Sequence, residues 1–197
     1  MRKFVLSARS FVPGLLLLML CVAANAQVLV GGQGPLTAGA AAPDFTLTAQ
    51  DGSSIALSSL RGQWVVVFFF PTATDAGSLT EVKAFESDLA TYSKWGSVLG
   101  VSPALAADLK QLAVNAGSTY PLLADPAEKT AKAYGSLSSQ GVVIRNAYLV
   151  DPEGKIAQVW TNVSPASISS TVKSTLSLKP PVGTVTPITM SLKPPVT

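Results

Sequence analysis

The sequence predicts one α/β domain with a central mixed sheet flanked by helices, and three observations predict it. Residues 64–70, Trp64-Val65-Val66-Val67-Phe68-Phe69-Phe70, carry no polar side chain, as a strand covered on both faces requires. A stripe at helical spacing follows (Val82, Phe85, Leu89, Tyr92), and then a second buried strand, Val98-Leu99-Gly100-Val101. Strand, helix and strand in that order make a parallel crossover, expected to be right-handed. Further on, residues 142–150 and 156–160 flank Asp151-Pro152-Glu153-Gly154, the turn of an antiparallel hairpin.

The chain opens with a segment that reads as a signal for export rather than as structure. Arg2, Lys3 and Arg9 form a basic start, residues 15–22 an apolar core, and Ala24-Asn25-Ala26 the small residues of a cleavage site. Residues 1–26 are therefore expected to be a signal peptide, and the mature protein to be periplasmic or extracellular, without stable membrane insertion. A lipidated Cys21 is the competing reading, against which Leu20 stands where that chemistry wants a small residue.

Removing this segment changes the charge and the chemistry. Three of the 14 Lys and Arg lie in it and none of the 11 Asp and Glu, so the remainder carries 11 of each and is formally neutral. The basic pI of the whole sequence is then no sign of a nucleic-acid partner. Cys21 is the only cysteine and histidine is absent, so the expected mature chain contains neither a thiol nor an imidazole. With 197 residues, 48% of them hydrophobic, one sizeable core is expected.

Taken in order, residues 27–41 are rich in Gly and Ala and read as a flexible lead-in to a domain spanning 42–176. Residues 45–47 and 55–57 flank Asp51-Gly52, a turn between short strands. After the strand at 64–70, a helix is expected from Ser78, ended by Gly96. Leu105, Leu109 and Leu112 mark another helix, closed near Gly117. Residues 120–124 form a short apolar run, and 127–134 a brief helix ended by Gly135. Ser164-Pro165 opens a last helix with Ile168, Val172 and Leu176 on one face. A parallel crossover, an antiparallel hairpin and a final helix is the order of a thioredoxin-like fold. Residues 177–197 change character: Ser177-Leu178-Lys179-Pro180-Pro181-Val182 recurs as Ser191-Leu192-Lys193-Pro194-Pro195-Val196. Proline forbids helix and central strand, so this reads as a disordered, polyproline-leaning tail. It is either a tether for a protein partner or a spacer.

Several local patterns resemble the peroxiredoxins, in particular the alkyl hydroperoxide reductase and bacterioferritin-comigratory type. They begin with Ala42-Pro43-Asp44-Phe45-Thr46-Leu47, Asp51-Gly52 and Leu60-Arg61-Gly62. Gly100-Val101-Ser102, Tyr120-Pro121-Leu122-Leu123-Ala124-Asp125-Pro126, Ala133-Tyr134-Gly135 and the run 145–156 follow in the family's order. The resemblance covers about residues 42–176. It implies an antioxidant oxidoreductase in which a cysteine thiolate attacks the peroxide O–O bond and becomes a sulfenic acid. It also implies which positions form the site. Pro71 falls on the shielding proline, Arg145 on the arginine that holds peroxide, and Glu81 and Phe85 on the family's helix. Asp75 stands at the threonine position, Ser78 at that of the attacking cysteine, and Lys83 at the usual resolving cysteine.

Ser78 cannot replace a thiol. Its hydroxyl would need an activating base, histidine is absent, and an alkoxide has no sulfenic-acid chemistry. The structural alternative is a capping box, Ser78-Leu79-Thr80-Glu81, with Ser78 as N-cap. Asp75 either pairs with Arg145 in the former peroxide pocket or points to solvent from its loop. In the first case it would raise the pKa of any thiol placed at position 78.

Other signals are weaker. Gly31-Gly32-Gln33-Gly34 lacks the context of a phosphate loop, and Asn162-Val163-Ser164 fits a glycosylation acceptor followed by Pro165. No cysteine or carboxylate cluster points to a metal, no cofactor is expected, and Trp64, Trp95 and Trp160 read as packing residues. The leading expectation is an exported peroxiredoxin-like protein without thiol peroxidase activity, acting as a binding or structural module. The alternative is a working thiol peroxidase.

Overall fold

A computed structural model describes residues 34–180 and 187–190; the expected signal peptide lies outside the described residues. Seven strands form one mixed sheet in the order β2-β1-β5-β4-β3-β6-β7. They are β1 (Thr46–Ala49), β2 (Ser54–Ala56), β3 (Trp64–Phe69), β4 (Gly96–Ser102), β5 (Leu122–Ala124), β6 (Ala147–Val150) and β7 (Ile156–Trp160). The helices are α1 (Ala76–Tyr92), α2 (Ala106–Ala116), α3 (Lys129–Ala133) and α4 (Ile168–Leu176). This is the expected thioredoxin-like arrangement.

The centre of the sheet follows from its apolar runs. Every residue of β3 and β4 is buried, and the two strands pair in parallel from Trp64–Gly96 to Phe69–Val101, with α1 as the crossover. β6 lies antiparallel on the other side of β3, and β7 antiparallel on β6. Side chains alternate across the sheet, as strand geometry requires. Val66, Phe68 and Phe70 pack beneath α1, α2 and α4 against Val82, Phe85, Leu109 and Val172. Val65, Val67 and Phe69 face the opposite layer, with Phe45, Ile55, Leu57, Tyr134 and Tyr148.

The structure corrects several element boundaries. Residues 142–146 are not strand: Val142 is exposed, and only Ala147–Val150 pairs with β3. The helix expected at 127–134 is confined to Lys129–Ala133. Leu105 is 60% exposed and precedes α2 rather than joining its buried face. α4 starts at Ile168 after Ser167, and Ser164 contributes its backbone carbonyl to the Ser167 and Ile168 N–H groups. Gly96 belongs to β4, where a Cβ would meet the Trp64 carbonyl.

Both ends of the domain are more ordered than their composition predicts. In the lead-in expected to be flexible, the Gly39 N–H donates to the Ile156 carbonyl and the Ala40 carbonyl accepts from Ile156, and Ala42, the first residue of the domain, donates its N–H to the Gly154 carbonyl. These bonds cover the start of β7, an edge strand whose backbone groups need partners. In the tail, Met190 is buried and its N–H donates to the Thr119 carbonyl, while the Ile188 N–H donates to Ser97 Oγ. Trp95 and Trp64 donate their indole N–H groups to the carbonyls of Lys179 and Pro180. The described parts of this tail are therefore packed on the domain. Composition missed this because it counts side chains, and these contacts run largely through the backbone.

Candidate functional site

β3 ends at Phe69, and residues 71–75 lead from it into α1. Pro71 is half-buried on this loop. The helix N-cap is Asp75, whose carboxylate accepts the Ser78 N–H at 2.7 Å and the Ser78 hydroxyl at 2.9 Å. This replaces the expected capping box. The helix starts two residues before Ser78, Ser78 sits inside the first turn, and Glu81 does not reach back to it. Asp and Ser are comparable N-caps. Here the aspartate is the one placed where a carboxylate can also meet a cation.

That cation is Arg145. Its Nη2 donates to the two Asp75 carboxylate oxygens at 2.9 and 3.1 Å and to Ser78 Oγ at 3.3 Å, and its Nη1 donates to Glu81 Oε2 at 2.7 Å. One guanidinium thus ties two carboxylates and a hydroxyl together, the fork geometry that suits arginine. The backbone holds Arg145 from both sides. Its carbonyl accepts the Val163 N–H, and the carbonyl of the next residue, Asn146, accepts the Phe69 N–H. The Asn146 side chain is buried and bonded to Ser136 Oγ and to the Asn162 N–H. The irregular run before β6 is what turns Arg145 toward α1.

Burial differs sharply across the cluster. Ser78 and Glu81 are fully buried, whereas the Asp75 side chain is 36% exposed. Burial pushes Glu81 up to about 7; Arg145 opposes the rise and Asp75 adds to it. Among the described residues Glu81 Oε1 has no hydrogen-bond partner. Burial also acts to raise Asp75, but the Ser78 N–H, the Ser78 hydroxyl and Arg145 outweigh it and hold this carboxyl below its usual range. Asp75 is thus an ionised cap and a poor base for Ser78.

Two participants were not read as such from the sequence. Glu81 was matched to the family's helix and to a capping role, whereas its partner is Arg145. Gly77 is the second: a Cβ there would lie 2.9 Å from Asp75 Oδ1 and 3.0 Å from Arg145 Nη2, so any larger residue would have to displace the pair. The available signal was a glycine in the first turn of a helix, where its propensity is poor. Among the described residues Pro71 makes no hydrogen bond to the cluster, and Lys83 is exposed on α1. Beside the cluster, a cleft of about 470 Å³ runs between the 71–75 loop and α2, lined by Asp75, Leu79, Asp108, Gln111 and Asn115. Among the described residues no group of three His, Cys, Asp or Glu is placed to hold a metal, and no helix is long and apolar enough to cross a membrane.

Comparison with known proteins gives the family. The pattern of the AhpC/TSA family matches residues 38–159. Peroxiredoxin Bcp of Xanthomonas campestris is 27% identical over 145 residues, covering 70% of this chain and 91% of that protein. Chloroplastic peroxiredoxin Q of Oryza sativa subsp. japonica is 31% identical over 132 residues, covering 66% of this chain and 61% of that protein. Among solved structures, the X. campestris bacterioferritin comigratory protein, described for its alkyl peroxide reduction activity, superposes with a TM-score of 0.67 at 26% identity, covering 72% of this chain and 98% of its own. Peroxidoxin BcpB of Mycobacterium tuberculosis gives 0.68 at 25% identity, covering 74% and 99%. The crossover that carries Ser78 at a helix start, the arginine brought to it from before β6, and a family match over most of the domain lead to one conclusion: the chain belongs to the AhpC/TSA family, the peroxiredoxins.

Proposed function

We propose that this chain is an exported peroxiredoxin-like protein without thiol peroxidase activity, serving as a binding or structural module. The observation that carries this reading is Ser78, at the position the resemblance gives to the attacking cysteine. It is fully buried, donates its hydroxyl proton to Asp75 and accepts from Arg145. An oxygen there cannot pass through sulfenic acid and disulfide. The arginine that would hold peroxide in the family is engaged by Asp75 and Glu81. Cys21, the one cysteine of the sequence, lies in the expected signal peptide. The cleft beside Asp75 is the place such a module offers a small ligand.

The competing reading, an antioxidant oxidoreductase, draws on the retained Pro71 and Arg145 positions and on the family itself. Peroxide consumption by the purified mature chain with a dithiol reductant separates the two. We expect the buffer rate, and turnover well above it would end the inactive reading. Reconstruction tests the account of Asp75. Ser78→Cys alone should give little activity, because the neighbouring carboxylate raises the thiol pKa and keeps Arg145 occupied. Adding Asp75→Thr should raise the rate by at least about tenfold, the worth of one pKa unit of thiolate. Equal rates for the two variants would discard this role.

A further inference from the structure

The tail repeat and the two tryptophans under the sheet remain unexplained by the site above. Trp64 opens β3, and its N–H donates to the Trp95 carbonyl, so the two residues stand side by side. Trp95 Nε1 donates to the Lys179 carbonyl at 3.2 Å, and Trp64 Nε1 to the Pro180 carbonyl at 3.3 Å. The Lys179 ammonium lies 5.9 Å from the Trp64 ring centroid, within cation–π range. These contacts read a particular chemistry. Each of the two carbonyls precedes a proline, in a segment whose prolines have no N–H to offer, so the proline backbone can be hydrogen-bonded only through its carbonyls. Aromatic surfaces that donate in this way are how extended proline-rich segments are recognised elsewhere.

We propose that Trp64 and Trp95 form a reading site for Lys-Pro-Pro, and that Lys193-Pro194-Pro195 of a second copy of this chain exchanges into it, joining two molecules through swapped tails. Three observations favour this occupant. The second hexapeptide, 191–196, repeats the first residue for residue, so it offers the same lysine and the same two pre-proline carbonyls. It begins directly after Met190, which is fixed at Thr119, while Ile188 is held at Ser97, the neighbour of the Gly96 that pairs with Trp64. The tryptophans and Met190, the point to which the second hexapeptide is attached, therefore lie at the same end of the sheet, and two molecules meeting there would satisfy each other twice in a closed symmetric pair. The first copy is also lightly held: Leu178 is 85% exposed, Pro180 is exposed, and the two indole bonds are long. Exchange replaces like contacts with like.

Attachment in the same chain gives the first copy an effective concentration of roughly millimolar order, so the natural chain should pair only when concentrated. Breaking the first copy with Lys179→Ser and Pro180→Ser should lower the concentration for pairing by at least about tenfold, measured by light scattering during size exclusion. Also changing Lys193→Ser and Pro194→Ser should restore the monomer. Added to the first-copy variant, a synthetic Ser-Leu-Lys-Pro-Pro-Val peptide should separate the pair and shift tryptophan emission. A first-copy variant that stays monomeric at every concentration overturns the proposal, as does a dimer that survives loss of both copies. Peptide binding to a strictly monomeric variant overturns it too, assigning the tryptophans to a foreign Lys-Pro-Pro ligand. None of these outcomes depends on peroxide turnover.

Discussion

Arg145→Ala should destabilise the fold by about 3–5 kcal/mol near pH 7.5, the usual cost of removing one partner from a buried ion pair. The reason lies on Glu81 more than on Asp75. Asp75 is partly exposed and keeps water and the Ser78 donors when the guanidinium goes. Glu81 is fully buried, and among the described residues it already has one oxygen without a partner and would lose its hydrogen bond to Arg145. Adding Glu81→Gln to Arg145→Ala should recover part of the loss, since the buried charge disappears with its former partner. Urea unfolding of the three chains checks this. A loss below about 1 kcal/mol for Arg145→Ala would show that the cluster carries no structural weight.

Stability should fall as pH rises from about 4.5 to about 7, opposite to the acid denaturation usual for paired carboxylates. In the folded chain Glu81 binds its proton up to about 7, against 4.5 in the unfolded chain, so between those values the native state holds the extra proton. The stabilisation from that proton is complete below about 4.5 and lost as pH passes 7. Asp75 works the other way, its carboxyl being held below 3.8, and its contribution is lost as pH falls through that lower range. Stability should therefore be greatest around pH 4–5. The fall toward neutrality should amount to roughly 3 kcal/mol, the worth of moving a carboxyl from 4.5 to about 7. Glu81→Gln should flatten that limb while leaving the acid limb in place. A natural chain whose melting temperature is level from pH 5 to 8 would refute the buried proton.

Much of the architecture was legible because it rests on local patterns. The fully apolar run at 64–70, the helical stripe from Val82 to Tyr92 and the turn at Asp151-Pro152-Glu153-Gly154 each fix one element by periodicity or turn chemistry, and all three are found. Val142 was misread because an apolar residue leading into a strand looks the same whether or not it is paired. At the site, Asp75 and Arg145 were foreseen as one of two arrangements, and the structure forms the pair. The capping box failed because Ser78 and Asp75 both suit an N-cap, and only the arginine arriving from residue 145 favours one over the other.

By itself the sequence determined the order of strands and helices, the family, and the presence of a hydroxyl at Ser78 and a carboxylate at Asp75. Composition and spacing act over a few residues, and these properties are local. Tertiary structure decided what lies at long range: that one guanidinium is shared by Asp75 and Glu81, that Gly77 lies directly against this pair, and that the carbonyls of Lys179 and Pro180 are held by two tryptophans. Each depends on residues 64 to 116 positions apart in the chain meeting in space. Those meetings are set by the packing of the whole sheet, which no short window of residues contains.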